Sequence, residues 1–300
     1  MEQHKQRQRE HFDTIASTLP EHAPLRDNVM ALHQLTYNRK IRRLPLRNGD
    51  RVLELGCEYA QLIRVLEGEA DFQGVGIDLS FRMVATAHRD RGRMSFLVAD
   101  AEALPFASSS FDSLMAISLL EHLPHQKQAL QEMQRVLRPG GHLLMQFPVR
   151  DDLLSWQFFY RLLFPGRFSR VLERLAHDPT LVPLTTQFKS LLLQTGFVLL
   201  WQSRDEVFFQ PIYDYYVLSL LDRFKRRKDS IQRRIRSSQQ IDKNLPRSTR
   251  PTFLPRARWR PRPAGIHRVL LPLASILLIP DYLLNKCGIG ASLWVLARKK

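Results

Sequence analysis

Three hundred residues with 44% apolar content and a formal charge of +16 suffice for one large α/β domain with insertions or for two small domains. The two cysteines, Cys57 and Cys287, supply neither a disulfide framework nor a metal-ligand cluster, and the opening MEQHKQRQRE lacks the apolar core of a signal peptide; a reducing, cytoplasmic setting is expected. Residues 222–263 hold fifteen Lys or Arg against three Asp, a net +12 that leaves only +4 elsewhere, so an anionic partner would meet that segment.

Residues 1–43 read as a helical segment, with Phe12, Ile15 and Leu19 spaced to share one face. Asn48-Gly49-Asp50 signals a turn, and Val52–Leu55 is a short apolar strand. Residues 60–67 carry helical periodicity, stopped by Gly68. The alternation then repeats: strand 74–78, helix 80–90, strand 94–100, strand 113–119, helix 126–137, a turn at Arg138-Pro139-Gly140-Gly141, and strand 142–147. Strands alternating with helices predict a mostly parallel sheet covered on both faces, with ligands at the carboxyl ends of the strands.

Past Pro148 the rhythm changes. An aromatic and basic stretch (WQFFYRLLFPGRF, 156–168) predicts a helical insertion over 150–186; 186–194 is a helix stopped by Gly196, and 197–203 a strand. The expected division is thus a helical segment (1–43), an α/β domain (44–205), a basic and apolar insertion (206–285) and a final strand of the same sheet within 286–300, at SLWVLAR. VLLPLASILLIP (269–280) has no charge but is too short to span a bilayer, which needs about 20 residues. The basic segment and the apolar run of 266–284 together suit peripheral contact with an anionic membrane on its inner face. A buried core helix explains 266–284 as well, and nucleic acid is a third partner for the basic segment, the less favoured because an apolar run follows it.

Individual residues point to a ligand site. Glycine is required where a backbone passes close to a ligand; Gly56 follows the first strand. Asp78 ends the second strand 22 residues later, a spacing at which dinucleotide folds place a carboxylate on the ribose hydroxyls. An acidic residue there also suits a helix N-cap, and Ser80 is another cap candidate. Asp100 follows the third strand, where it serves equally as a turn aspartate before Glu102. His122, with His125 second, lies beyond the fourth strand and would suit a general base near neutral pH.

The motifs VLELGCEYA, GVGIDLS, VADAEALPF, FDSLMAISLLEHL and RVLRPGGHLLMQFP, in this order and spacing, resemble the class I S-adenosylmethionine-dependent methyltransferases of the type 11 domain family. The resemblance covers residues 48–148, and more weakly 186–203 and 286–298. It implies a Rossmann-like methyltransferase fold and S-adenosyl-L-methionine as cofactor. It also implies a cofactor set of Glu54, Gly56, Cys57, Glu58, Asp78, Leu79, Asp100, Ala101 and Ser118, with Asp100 and the Ala101 N–H on the adenine and His122 as catalytic base. The family's glycine loop reads Gly-x-Gly-x-Gly; here Glu58 and Ala60 stand at the second and third glycine positions. The activity implied is methyl transfer to a small or lipid-like acceptor; a non-catalytic relative that keeps the fold as a binding or scaffold protein is the alternative, and Glu58 is its main support.

Overall fold

The computed structural model describes residues 2–18, 32–89, 92–152, 155–163, 165–166, 178–205, 281, 283–284 and 289–300. Among these, seven strands form one sheet: β1 (Arg51–Leu55), β2 (Gln73–Asp78), β3 (Ser95–Val98), β4 (Phe111–Ile117), β5 (Leu137–Pro148), β6 (Phe197–Asp205) and β7 (Ser292–Lys299). Their order is β3-β2-β1-β4-β5-β7-β6. The first five strands run parallel, and β7 is antiparallel to both β5 and β6. Successive connections leave in opposite directions on either side of the β1–β4 pair, which opens a crevice beyond the carboxyl ends of those two strands.

The helices are α1 (Glu2–Thr18), α2 (Leu32–Ile41), α3 (Phe81–His88), α4 (Gln126–Val136), α5 (Trp156–Leu163) and α6 (Thr185–Gln194). Both faces of the sheet are covered, so β4 is buried from Ser113 to Ile117 and β7 from Ser292 to Ala297. On one face Leu53, Leu114, Met145 and Val295 pack with Leu130 and Met133 of α4 and Phe188 and Leu192 of α6. On the other, Val52, Met115, Leu144 and Trp294 pack with Ile41 of α2 and Val84 and Ala87 of α3. The α/β architecture expected from the sequence is present.

Three local expectations are corrected. Over 60–67 only Ile63–Leu66 coils, as a 3-10 turn. All four of its residues are buried, a demand that one face of an α-helix cannot meet. The Arg138–Gly141 turn lies inside β5: Phe111 pairs with Leu137 and Ser113 with His142, so residues 138–141 bulge opposite Asp112 alone. On α1, Ile15 is exposed while Gln8 and Ala16 are buried and His4, Lys5, Phe12 and Asp13 are half-buried; Leu19 lies outside the described residues. The inward face of α1 is polar because it meets polar groups. Part of the 150–186 insertion, residues 222–263 and nearly all of 266–284 also lie outside the described residues. Among the described residues no helix is long and apolar enough to cross a membrane.

Candidate active site

The residues singled out in the sequence lie at or just after the carboxyl ends of β1 to β4. Glu54, the penultimate residue of β1, is buried, and its Oε2 accepts the Ile63 N–H at 3.3 Å. Burial holds its carboxyl well above the usual carboxylate range. The loop that follows has positive φ at Gly56 (+66°), Glu58 (+46°) and Ala60 (+64°). The backbone therefore takes its left-handed steps at the three glycine positions of the family, two of them with side chains. A Cβ on Gly56 would lie 3.1 Å from Leu119 Cδ1, so the loops after β1 and β4 touch across the crevice. Cys57 is buried, its N–H donates to the Ile77 carbonyl at 2.9 Å, and burial pushes its thiol up.

Asp78 ties this loop to the end of β2. Its Oδ2 accepts the Glu58 N–H at 2.9 Å and its Oδ1 the Ser80 N–H at 2.8 Å. Burial raises its carboxyl despite these donors and that of Leu79, and Asp13 adds repulsion. Ser80, not Asp78, is the N-cap of α3, its Oγ accepting the Met83 N–H at 3.1 Å. The Glu58 side chain is exposed in surface area yet crowded by protein; that crowding, and then the Asp78 charge, push its carboxyl up to about 7.

Asp100 closes a turn through Oδ1, which accepts the Glu102 N–H at 2.9 Å, while Oδ2 faces Lys5 Nζ at 2.5 Å. Ala101 is buried beside it. Ser118 has a φ of +50° and donates from Oγ to Gln146 Oε1 at 2.8 Å, which pins the loop after β4 to β5. His122 ends the 3-10 turn Leu120–His122; Phe12 stands edge-on to its ring at 5.7 Å, and His4 Nε2 lies 3.1 Å from its carbonyl oxygen. His125 precedes α4 and donates its N–H to Glu102 Oε1 at 2.6 Å. Burial raises the carboxyls of Glu54, Glu58 and Asp78, and repulsion within the group adds to the shift at Glu54 and Glu58; ionised, the three would form a cradle that suits a cationic ligand.

Residues 53–145 match a family described as a methyltransferase domain. The chain is 32% identical over 161 residues to O-methyltransferase rstn1 of Aspergillus nomiae, covering 52% of this chain and 67% of that protein. The chain belongs to the class I S-adenosylmethionine-dependent methyltransferases. It is also 34% identical over 163 residues to O-methyltransferase cnsE of Penicillium expansum, where the match spans 52% of this chain and about half, 54%, of the relative's length. Phosphoethanolamine N-methyltransferase 2 of Haemonchus contortus, solved in complex with S-adenosyl-L-methionine, shares the fold with a TM-score of 0.54 at 17% identity, over 88% of this chain and 52% of that one.

Within this methyltransferase domain the Asp78 hydrogen bonds hold the loop of Gly56, Cys57 and Glu58 to the end of β2 and Leu79, while Ser118 is held to β5 by Gln146. α1 also ties Asp100 and His122 to that group, through Lys5 and Phe12, and the His122 N–H donates to the Leu119 carbonyl beside Gly56. Sequence reasoning missed Lys5, Phe12 and Asp13, which come from a helix outside the family block. It also missed Gln146, whose signal was a lone polar residue inside the apolar run LLMQF.

Proposed function

We propose that this protein binds S-adenosylmethionine in the crevice beyond β1 and β4 and transfers its methyl group to an oxygen nucleophile of a small or lipid-like acceptor. The observation that carries this is the Asp78 carboxylate, buried at a strand end and bonded to the N–H of Glu58 in the glycine-position loop. Each Asp78 oxygen keeps a lone pair for a ribose hydroxyl. Asp100 and the Ala101 N–H would take the adenine edge, and the loop from Glu54 to Glu58 the amino-acid end, whose ammonium and sulfonium charges suit the carboxylate cradle. When bound, the cofactor supplies a methyl group already activated for in-line displacement. The chain's own work is then alignment and exclusion of water, with Ser118 fixing the loop after β4 and His122 accepting the acceptor's proton. An oxygen acceptor is favoured because relatives from two fungi are named O-methyltransferases.

Calorimetry with S-adenosylmethionine, followed by a search for metabolites that gain a methyl group when the protein is added, tests the reading. Absence of binding at millimolar cofactor overturns it. The non-catalytic alternative draws on Glu58, a long side chain at a left-handed glycine position; a Glu58→Gly change that moves binding from undetectable to micromolar would support it. The charge of 222–263 and the apolar run after it support peripheral contact with anionic membrane on the cytoplasmic side. Wild-type protein should then float with anionic vesicles and stay down with neutral ones; a protein that stays down with both overturns the membrane reading.

A further inference from the structure

α1 lies over the candidate site and touches it at three points. Lys5 Nζ sits 2.5 Å from Asp100 Oδ2 and 2.6 Å from Glu102 Oε2. Phe12 stands against His122. Asp13 Oδ1 accepts from Ser80 Oγ at 2.5 Å and from the Arg82 N–H at 3.2 Å, at the start of α3. The other oxygen of Asp100 is already engaged by the Glu102 N–H. An ammonium thus already sits on one oxygen of the carboxylate that an adenine amino group would use, and each Asp100 oxygen keeps one lone pair.

We propose that Lys5 is a gate on Asp100, competing with the adenine amino group for Oδ2, so that the position of α1 sets cofactor affinity; this rests on the cofactor reading above. The competition is for charge and room at Oδ2: an ammonium at 2.5 Å neutralises the carboxylate and makes it a poorer acceptor for a second donor. Lys5 can leave Asp100 and keep Glu102, so its own charge stays paired, and Asp100 exchanges an ammonium for the adenine amino donor while keeping the Glu102 N–H. Burial alone would lower the Lys5 pKa, but Asp100 and Glu102 outweigh it and raise it, so the gate stays charged across the neutral range. The helix can shift at modest cost because its inward face is polar: Phe12 and Ala16 are its apolar contacts among His4, Lys5, Gln8 and Asp13.

The test uses the full chain, as wild type, Lys5→Ala and Lys5→Arg, in two measurements. Calorimetry is run with S-adenosylhomocysteine and with S-inosylhomocysteine, in which a carbonyl oxygen replaces the adenine amino group. Lys5→Ala should bind the adenosyl ligand about two- to fivefold more tightly, the range expected for a partly exposed ion pair. It should not gain affinity for the inosyl ligand, and Lys5→Arg should stay near wild type. Amide hydrogen exchange without ligand should be faster over residues 2–18 in Lys5→Ala, and in wild type it should rise over the same residues when the adenosyl ligand is added. Adenosyl affinity that is unchanged or weaker in Lys5→Ala overturns the gate while leaving the cofactor reading intact. Unchanged exchange over 2–18 does the same. No binding by any of the three proteins at millimolar ligand overturns the cofactor reading, and the gate falls with it.

Discussion

The main-chain N–H of Glu58 donates to Asp78 Oδ2 at 2.9 Å, so the carboxylate that ends β2 also sets the shape of the loop that follows β1. Two motifs distant in the chain are made one site by a single side chain. Asp78→Ala removes that tether together with the acceptor for the ribose hydroxyls. Cofactor affinity should fall by roughly 2–3 kcal/mol, as expected for lost charge-assisted hydrogen bonds. Calorimetry on wild type and variant measures the loss; equal affinities would remove Asp78 from the site.

Glu58 gives the site a pH dependence of definite sign. Its carboxyl is raised to about 7, by crowding and by Asp78, so the neutral form prevails below that value and the anion above it. A cationic ligand favours the anion. Affinity for S-adenosylmethionine should therefore rise as pH increases from 6 to 8, and Glu58→Gln should flatten the profile. Folding responds in the opposite direction. A carboxyl raised in the folded state holds its proton where the unfolded chain has lost it, so this group's contribution to stability declines as pH rises through about 7. Urea unfolding of the unliganded protein at the same pH values separates the two effects. If Glu58→Gln leaves the binding profile unchanged, Glu58 does not face the ligand.

The strands and the loops after them were legible because their signals are local. Apolar runs such as Val52–Leu55 and Leu143–Met145 must be buried, and Gly56 and Asp78 stand where such runs stop. The inward face of α1 was hidden for the opposite reason. Lys5 and Asp13 turn inward toward Asp100 and Ser80, partners far along the chain, while Ile15 stays in solvent; periodicity of apolar residues cannot report a face that docks through charge. The 3-10 turn at Ile63–Leu66 was masked by helical spacing, which does not show that all four consecutive residues are buried. The bulge at 138–141 resembled a strand boundary because Pro139 and Gly140 signal a turn in either setting.

Gly56 is held at a φ of +66° with Leu119 close by. Gly56→Ala places a methyl 3.1 Å from the Leu119 side chain and forces a residue with a Cβ into the left-handed region. The backbone term alone costs about 1–2 kcal/mol. The melting temperature should drop, and cofactor affinity should drop with it, since the crowded atom belongs to the loop that completes the crevice. Thermal unfolding with and without cofactor reads both, and an unchanged Leu119 loop would leave the two melting curves parallel to wild type.

Lys40, near the end of α2, carries the strongest expectation for stability. Its ammonium lies 2.6 Å from Asp205 Oδ1 at the end of β6 and donates to Ser203 Oγ at 3.1 Å and to the Arg204 carbonyl at 3.3 Å. The rings of Trp201 and Trp294 flank it, with centroids 5.8 and 5.5 Å away. The Lys40 side chain retains 11% of its surface and that of Asp205 only 2%, so both charges are largely out of water. The pair's net value is small, since desolvation offsets much of the attraction, but each partner makes the other tolerable. Lys40→Met should therefore leave Asp205 buried without its ammonium and cost about 3–5 kcal/mol. Asp205→Asn added to Lys40→Met removes the stranded charge and should recover a large part of that loss. Denaturant unfolding of wild type, the two single variants and the double variant completes the cycle. Strict additivity would show that the ion pair does not link α2 to the edge of the sheet; a double variant more stable than Lys40→Met alone would show that it does.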